Sequence, residues 1–426
     1  MRALGLSRLV AALAGGAALH TVAATAQTFR QTSADSYTRY ELLDPSTQSF
    51  RIIYDVTATA PGATVYYNAI RVGSEPTVHA VYDMATGEEL RWEIVDGELA
   101  RAGGMTNANP QGQYIKVELA RPVPEGGESR IRIDKTYRDP ESYRGDGRTI
   151  TFSRSLGIKR NAIVLPSGYE LIQSNYPSQV VTETDGRVRV SFMNSGPGAV
   201  PLTIRGRQLG TTNVSSRNAA AEGPEPASTT VRRPSGARVE YRFPERAFQD
   251  REIVYFLQPP ETHAFRLYHD YTETREGVDR YLNVVRAGSK ASNPSARILD
   301  TGEALRVETL RGSEIAARGI ELGGEVTPET EVVAIWFAPV KPGHAVRLRI
   351  EETYTDPNRY LLVGDELVWD RSFGRSRNTV ILPDGWYLTA NAVPAVVSET
   401  DDGRIRLYYE NDRPGNIDVF VKARMR

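Results

Sequence analysis

Hydrophobic and polar residues alternate with a period of two along much of this chain. Val188, Val190 and Phe192 alternate with Arg187, Arg189 and Ser191, and Ile405, Leu407 and Tyr409 with Arg404, Arg406 and Tyr408. That period places successive side chains on opposite faces, so these runs predict strands with one buried face. Asp185-Gly186 and Asp402-Gly403 precede the two runs, and an Asp-Gly pair supplies the backbone torsions of a tight hairpin. Segments 50–57, 265–272, 130–137 and 346–354 alternate in the same way. Residues 162–165 and 379–382 are short apolar runs stopped by Pro166 and Pro383, as buried strands are. No stretch beyond about ten residues holds a helical apolar stripe. The pattern predicts an all-β protein of small sandwiches.

The pattern also repeats. Residues 154–168 and 371–385 both read R-S-x-G-x-x-R-N-x-x-x-L-P-x-G. An offset of 215 residues matches Phe50 with Phe265, Asp55 with Asp270, Asn68 with Asn283 and Arg71 with Arg286. An offset of 217 matches Arg132 with Arg349, Tyr137 with Tyr354 and Asp139-Pro140 with Asp356-Pro357. The chain is therefore a tandem duplication, and a repeat of this kind decides architecture before local pattern does. Copy one is expected over 36–207 and copy two over 251–426. Each copy should hold two antiparallel β-sandwich units, 36–137 with 138–207 and 251–354 with 355–426, jointed at the Asp-Pro corners. Residues 208–250 read as a linker, rich in Ser, Thr, Ala, Pro and Gly over 210–236, with a lead-in strand near 237–243.

Residues 1–26 read as a secretory signal peptide. Arg2 and Arg8 precede an apolar run over 9–24, and Ala24-Thr25-Ala26 fits a cleavage site, so the mature chain is expected to begin at Gln27. A transmembrane anchor is the alternative, but the run carries two glycines and His20 and is short for a span of ~20 residues. No later segment is apolar enough to cross a membrane. Cysteine is absent, which excludes disulfides and thiolate chemistry. Of the 52 basic residues only six are lysine, a bias that fits a GC-rich bacterial genome, so a periplasmic or extracellular location is expected. The net charge of -1 argues against a nucleic-acid partner.

The search for chemistry finds no catalytic residue, metal ligand set or cofactor motif. His79, His263, His269 and His344 lack metal-ligand spacing, and no nucleophile elbow, phosphate loop or dinucleotide fingerprint is present. A pair of glycosidase carboxylates cannot be picked from 53 acidic residues. The repeated motif does carry two arginine pairs, Arg154 with Arg160 and Arg371 with Arg377. Guanidinium forks match carboxylates and phosphates, which makes these four the candidate ligand-binding residues. The competing reading is that they tie a loop to backbone carbonyls or to a nearby acid. Further arginines two apart, such as Arg130/Arg132 and Arg347/Arg349, predict basic stripes on strand faces.

Residues 43–57, L-D-P-S-T-Q-S-F-R-I-I-Y-D-V-T, and 156–171, L-G-I-K-R-N-A-I-V-L-P-S-G-Y-E-L, resemble exported bacterial proteins of uncharacterised function. The turn Pro339-Val340-Lys341-Pro342-Gly343 before the strand 346–350 is similar to the non-catalytic N-terminal β domain of M1-type aminopeptidases. The peptidase's H-E-x-x-H helix is absent, so the resemblance implies neither zinc nor peptidase activity here. The function expected is an exported, non-enzymatic binding or structural module of the bacterial cell envelope, with a glycan or protein partner. The alternative is an envelope glycan or peptide hydrolase whose carboxylates the sequence does not identify.

Overall fold

A computed structural model describes residues 30–209 and 245–426, together with the backbone of Ser228–Arg232 and Arg238–Arg242. The expected signal segment 1–26 and residues 210–227 of the expected linker lie outside the described residues. The strand expected near 237–243 is Arg238–Arg242, which pairs antiparallel with Ser228–Arg232.

The protein is all-β and duplicated. Copy one contains a seven-stranded sheet in the order Gln179–Thr182, Val188–Met193, Arg160–Val164, Ser33–Leu42, Ser49–Ala58, Ser129–Arg138, Glu75–Asp83. In copy two the same order is Val396–Glu399, Ile405–Glu410, Arg377–Ile381, Glu252–Leu257, Ala264–Glu273, Val346–Thr355, Lys290–Ile298. Two smaller sheets accompany each. Val65–Ala69, Gln113–Glu118 and Trp92–Asp96 form a three-stranded sheet in copy one, matched by Arg280–Val284, Glu331–Trp336 and Arg306–Arg311. The four-stranded sheet Tyr169–Ser174, Val200–Gln208, Thr149–Leu156, Tyr143–Asp146 is matched by Trp386–Asn391, Ile417–Met425, Glu366–Phe373, Tyr360–Val363.

The large sheet runs through both units expected in each copy. One apolar core therefore serves both: Phe50, Ile131 and Ile133 of the large sheet join Ile115 and Val117 of the three-stranded sheet and Phe152 and Ile204 of the four-stranded one. Copy two repeats this with Phe265, Leu348, Ile350, Ile335, Trp369 and Val421. The pair that joins the two units is parallel, Ser33–Leu42 with Arg160–Val164 and Glu252–Leu257 with Arg377–Ile381, a pairing the sequence left open. Only a tight hairpin forces antiparallel neighbours; these partners are separated by more than a hundred residues of chain, which leaves either direction open.

Local sequence explains most boundaries. Gly186 and Gly403 take φ of 83° and 82°, and each closes the Asp-Gly hairpin anticipated from sequence. Asp139 accepts from the amide and hydroxyl of Ser142, turning the chain from Ser129–Arg138 into Tyr143–Asp146. Every residue of Arg160–Val164 and Arg377–Ile381 is buried, because one face meets the copy's own core and the other meets the junction between copies.

Candidate functional site

Arg154 and Arg371 occupy equivalent interior positions. Arg154 donates to Asp139 at 2.8 Å and Arg371 to Asp356 at 3.2 Å. Around Arg154 stand the rings of Tyr40, Phe50 and Tyr137, and around Arg371 their counterparts Tyr255, Phe265 and Tyr354. A guanidinium removed from water needs a charged acceptor at its edge and is attracted to ring faces. Both needs are met within the copy, so these two arginines brace the Asp-Pro corners.

Arg160 and Arg377 lie at the junction of the two copies and meet on one carboxylate. Each reaches Asp35 Oδ1 at 2.8 Å, and Arg347 reaches Asp35 Oδ2 at 3.5 Å. The 215-residue offset turns Asp35 into Asp250, which is engaged by Arg347 at 3.1 Å and by Arg130 at 4.0 Å. Arg130 and Arg347 are themselves counterparts, so the junction is a two-fold-like exchange of Asp and Arg between copies. Arg160 further donates to the carbonyls of Ala247 and Phe248, and Arg377 to that of Asp250, fixing the chain that enters copy two. Burial acts to raise the pKa of Asp35, yet Arg160, Arg377, Arg347 and Arg130 together hold it down to about 2. Beside them Glu128 behaves oppositely. Its burial pushes it up to about 7 even though Arg347 stands 3.3 Å away.

In front of this junction the two copies bound a cleft of about 960 Å³. Its apolar wall carries Tyr37, Tyr82, Met84 and Phe248; the Phe248 ring sits edge-on to Tyr37 at 5.3 Å and is 53% exposed. Its polar wall is a set of ion pairs across adjacent strands. Arg132 grips Asp55 through two bonds of 2.7 and 2.8 Å, and Arg51 grips Asp134 at 2.8 and 2.5 Å. Alternation along Ser129–Arg138 aims Arg130, Arg132 and Asp134 outward while Ile131, Ile133 and Tyr137 enter the core.

Of the four arginines singled out from sequence, Arg160 lines this cleft, Arg377 lies behind it, and Arg154 and Arg371 are remote, each inside its own copy. Sequence reasoning missed Asp35, Asp250 and Phe248. The first two were readable, since they recur at the 215 offset; Phe248 was not, because its role depends on where the connecting segment lies. The histidines are dispersed: His79 meets Thr136, His263 meets the carbonyl of Tyr360, His269 is buried beside Arg375, and His344 lines the cleft. Among the described residues no group of three or more His, Asp or Glu is placed to hold a metal ion. Nor is any helix among them long and apolar enough to cross a membrane.

No family model and no curated protein matches the chain. Among solved structures it is similar to an M1 zinc metallopeptidase from Deinococcus radiodurans, at 14% identity and a TM-score of 0.27 over 45% of this chain and 49% of that one. It is also similar to an aminopeptidase N family protein from Idiomarina loihiensis, at 10% identity and a TM-score of 0.25 over 40% and 29%. The chain thus spans less than half of each, and no chemistry carries over from them at such values.

Proposed function

We propose that the protein is an exported, non-enzymatic binding module of the bacterial envelope, located in the periplasm or outside the cell, and that it holds a glycan in the cleft between its copies. The observation that supports this reading is the wall composition. The exposed ring of Phe248 and the half-buried ring of Tyr82 offer stacking faces, and the Arg132–Asp55 and Arg51–Asp134 pairs offer donors and acceptors already fixed in place. Cleft carboxylates gripped by guanidiniums suit hydroxyl recognition better than proton donation, which calls for a raised pKa. Glu128, the raised acid nearby, is sealed behind the wall and is 7% exposed. The test is co-sedimentation of the chain from Gln27 onward with purified envelope glycan, followed by oligosaccharide titration. Phe248→Ala should weaken binding about tenfold, the size of a lost base-level stacking contact of ~1–1.5 kcal/mol. Unchanged binding in that variant, or turnover of the oligosaccharide, would remove the reading.

A further inference from the structure

Residues that recur in a duplication describe the shared frame; four arginines of copy two break the repeat. Arg251, Arg275, Arg280 and Arg375 have as counterparts Ser36, Ala60, Val65 and Ile158. The first three line a pocket of about 390 Å³ with Tyr271, Tyr281, Leu282 and Glu321. Arg375 donates to buried His269, whose ring stands 5.6 Å from that of Tyr281. Arg275 is gripped by Glu273 and Arg280 by Asp279. Arg251 lies over the Tyr271 ring at 4.3 Å and makes no ion pair with a carboxylate among the described residues, whereas Arg375 interacts with the buried carboxylate of Glu352.

Copy one shows what belongs in this place. There the strand Val65–Ala69 is the edge of its three-stranded sheet, and the side-chain amide of Gln31 pairs with that edge. Gln31 Nε2 donates to the Tyr67 carbonyl at 2.9 Å, and the Tyr67 amide donates to Gln31 Oε1 at 2.7 Å. The segment carrying Gln31 also runs along Thr59, whose amide donates to the Thr32 carbonyl at 3.1 Å. In copy two the counterpart of Gln31 is Arg246, which is turned into the junction and donates to the carbonyls of Asn411 and Gly374. The counterpart of Tyr67 is Leu282, in the same register on the edge strand Arg280–Val284. Its edge lies open in the arginine pocket.

We propose that this edge of copy two is a docking site for an extended acidic peptide. The peptide backbone accepts from the Leu282 amide and donates to the Leu282 carbonyl, as the side-chain amide of Gln31 does at Tyr67 in copy one, and acidic side chains of the peptide pair with Arg251. Backbone or amide pairing with an open strand edge provides affinity, and charge-assisted bonds to guanidiniums select carboxylates. The site adjoins the glycan cleft and shares Arg251 with it, but the open edge at Leu282 lies outside that cleft.

The experiment titrates the chain from Gln27 onward, at low salt, with a blocked hexapeptide of alternating Glu and Thr. The same peptide with Gln for Glu and a tri-galacturonate are run alongside. Binding of the Glu peptide is expected, with the Gln peptide at least tenfold weaker and slowed hydrogen exchange at the Leu282 amide. Arg251→Ser, which installs the residue of copy one, should lower affinity about tenfold, as loss of one charge-assisted contact does. Its thermal midpoint should stay at the parent value, since Arg251 is exposed. Equal affinity in Arg251→Ser, or no binding of the Glu peptide at low salt, overturns the site. Tri-galacturonate displacing the peptide overturns its assignment to peptides.

Discussion

Lys135 gives the sharpest test of how this fold treats charge. Its neighbours along Ser129–Arg138 alternate, and position 135 falls on the inward face with Ile131, Ile133 and Tyr137. The side chain is 4% exposed; its ammonium bonds Asn68 Oδ1 and stands 5.0 Å from the Tyr137 ring, with no ion pair to a carboxylate among the described residues. Burial, and secondarily the positive charge of Arg154, brings its pKa from 10.5 down to about 7. Between those values the unfolded chain holds the proton and the folded one releases it, so stability rises with pH through the window from 7 to 10.5. At 1.36 kcal/mol per pKa unit, the charged form carries a penalty of roughly 5 kcal/mol at pH 7 and below, relative to the neutral amine. Lys135→Met removes that penalty but strands Asn68 Oδ1, at a cost of about 1–3 kcal/mol. The net expectation is a gain on the order of 2 kcal/mol at pH 6, or about 5 °C in thermal midpoint. The assay is denaturant unfolding of parent and variant at each pH from 6 to 10, scored as their difference, so that titration common to both cancels. The gain should shrink steadily above pH 7 and reverse sign between about pH 8 and pH 10, where the remaining penalty falls below the cost of the lost hydrogen bond. A difference that does not change with pH, or a variant less stable at every pH, would refute the argument.

Other consequences are measurable by the same unfolding assay. Arg371→Ala should lower stability by about 3–5 kcal/mol, because it leaves Asp356 buried without its cation; Arg154→Ala should do the same through Asp139, and a loss below about 1 kcal/mol in either would contradict the bracing role. Asp35 is ionised with a pKa held down to about 2, so its contribution is complete above the unfolded value near 4 and is lost as pH falls through about 2; Asp35→Asn should destabilise at pH 7 and flatten the acid limb. Glu128 is shifted up to about 7, so the folded protein binds its proton more tightly and stability falls as pH rises from 4.5 to 7; Glu128→Gln should remove that slope, and an unaltered slope would place the titration elsewhere.

The duplication, the strands and their faces were determined by the sequence itself. Alternation is a local property, so Val188–Met193 and Ile405–Glu410 could be drawn from the runs around Val190 and Leu407, and Asp-Gly closed their hairpins through backbone torsion alone. The motif arginines were also visible there, as a recurring pattern whose partners were not. Partners are a matter of chain return: Asp139 lies 15 residues from Arg154, but Asp35 lies 125 from Arg160 and still farther from Arg377. Nothing local distinguishes an arginine that braces a corner from one that joins two copies. The parallel pairing of Ser33–Leu42 with Arg160–Val164, the cleft behind Phe248 and the open edge at Leu282 were likewise decided only in three dimensions. Each depends on where a distant segment comes to rest, and Gln31 and Arg246 show the point. They stand at one position of the repeat, yet one caps a strand edge and the other locks the junction, because each segment packs against what the rest of the chain has placed beside it.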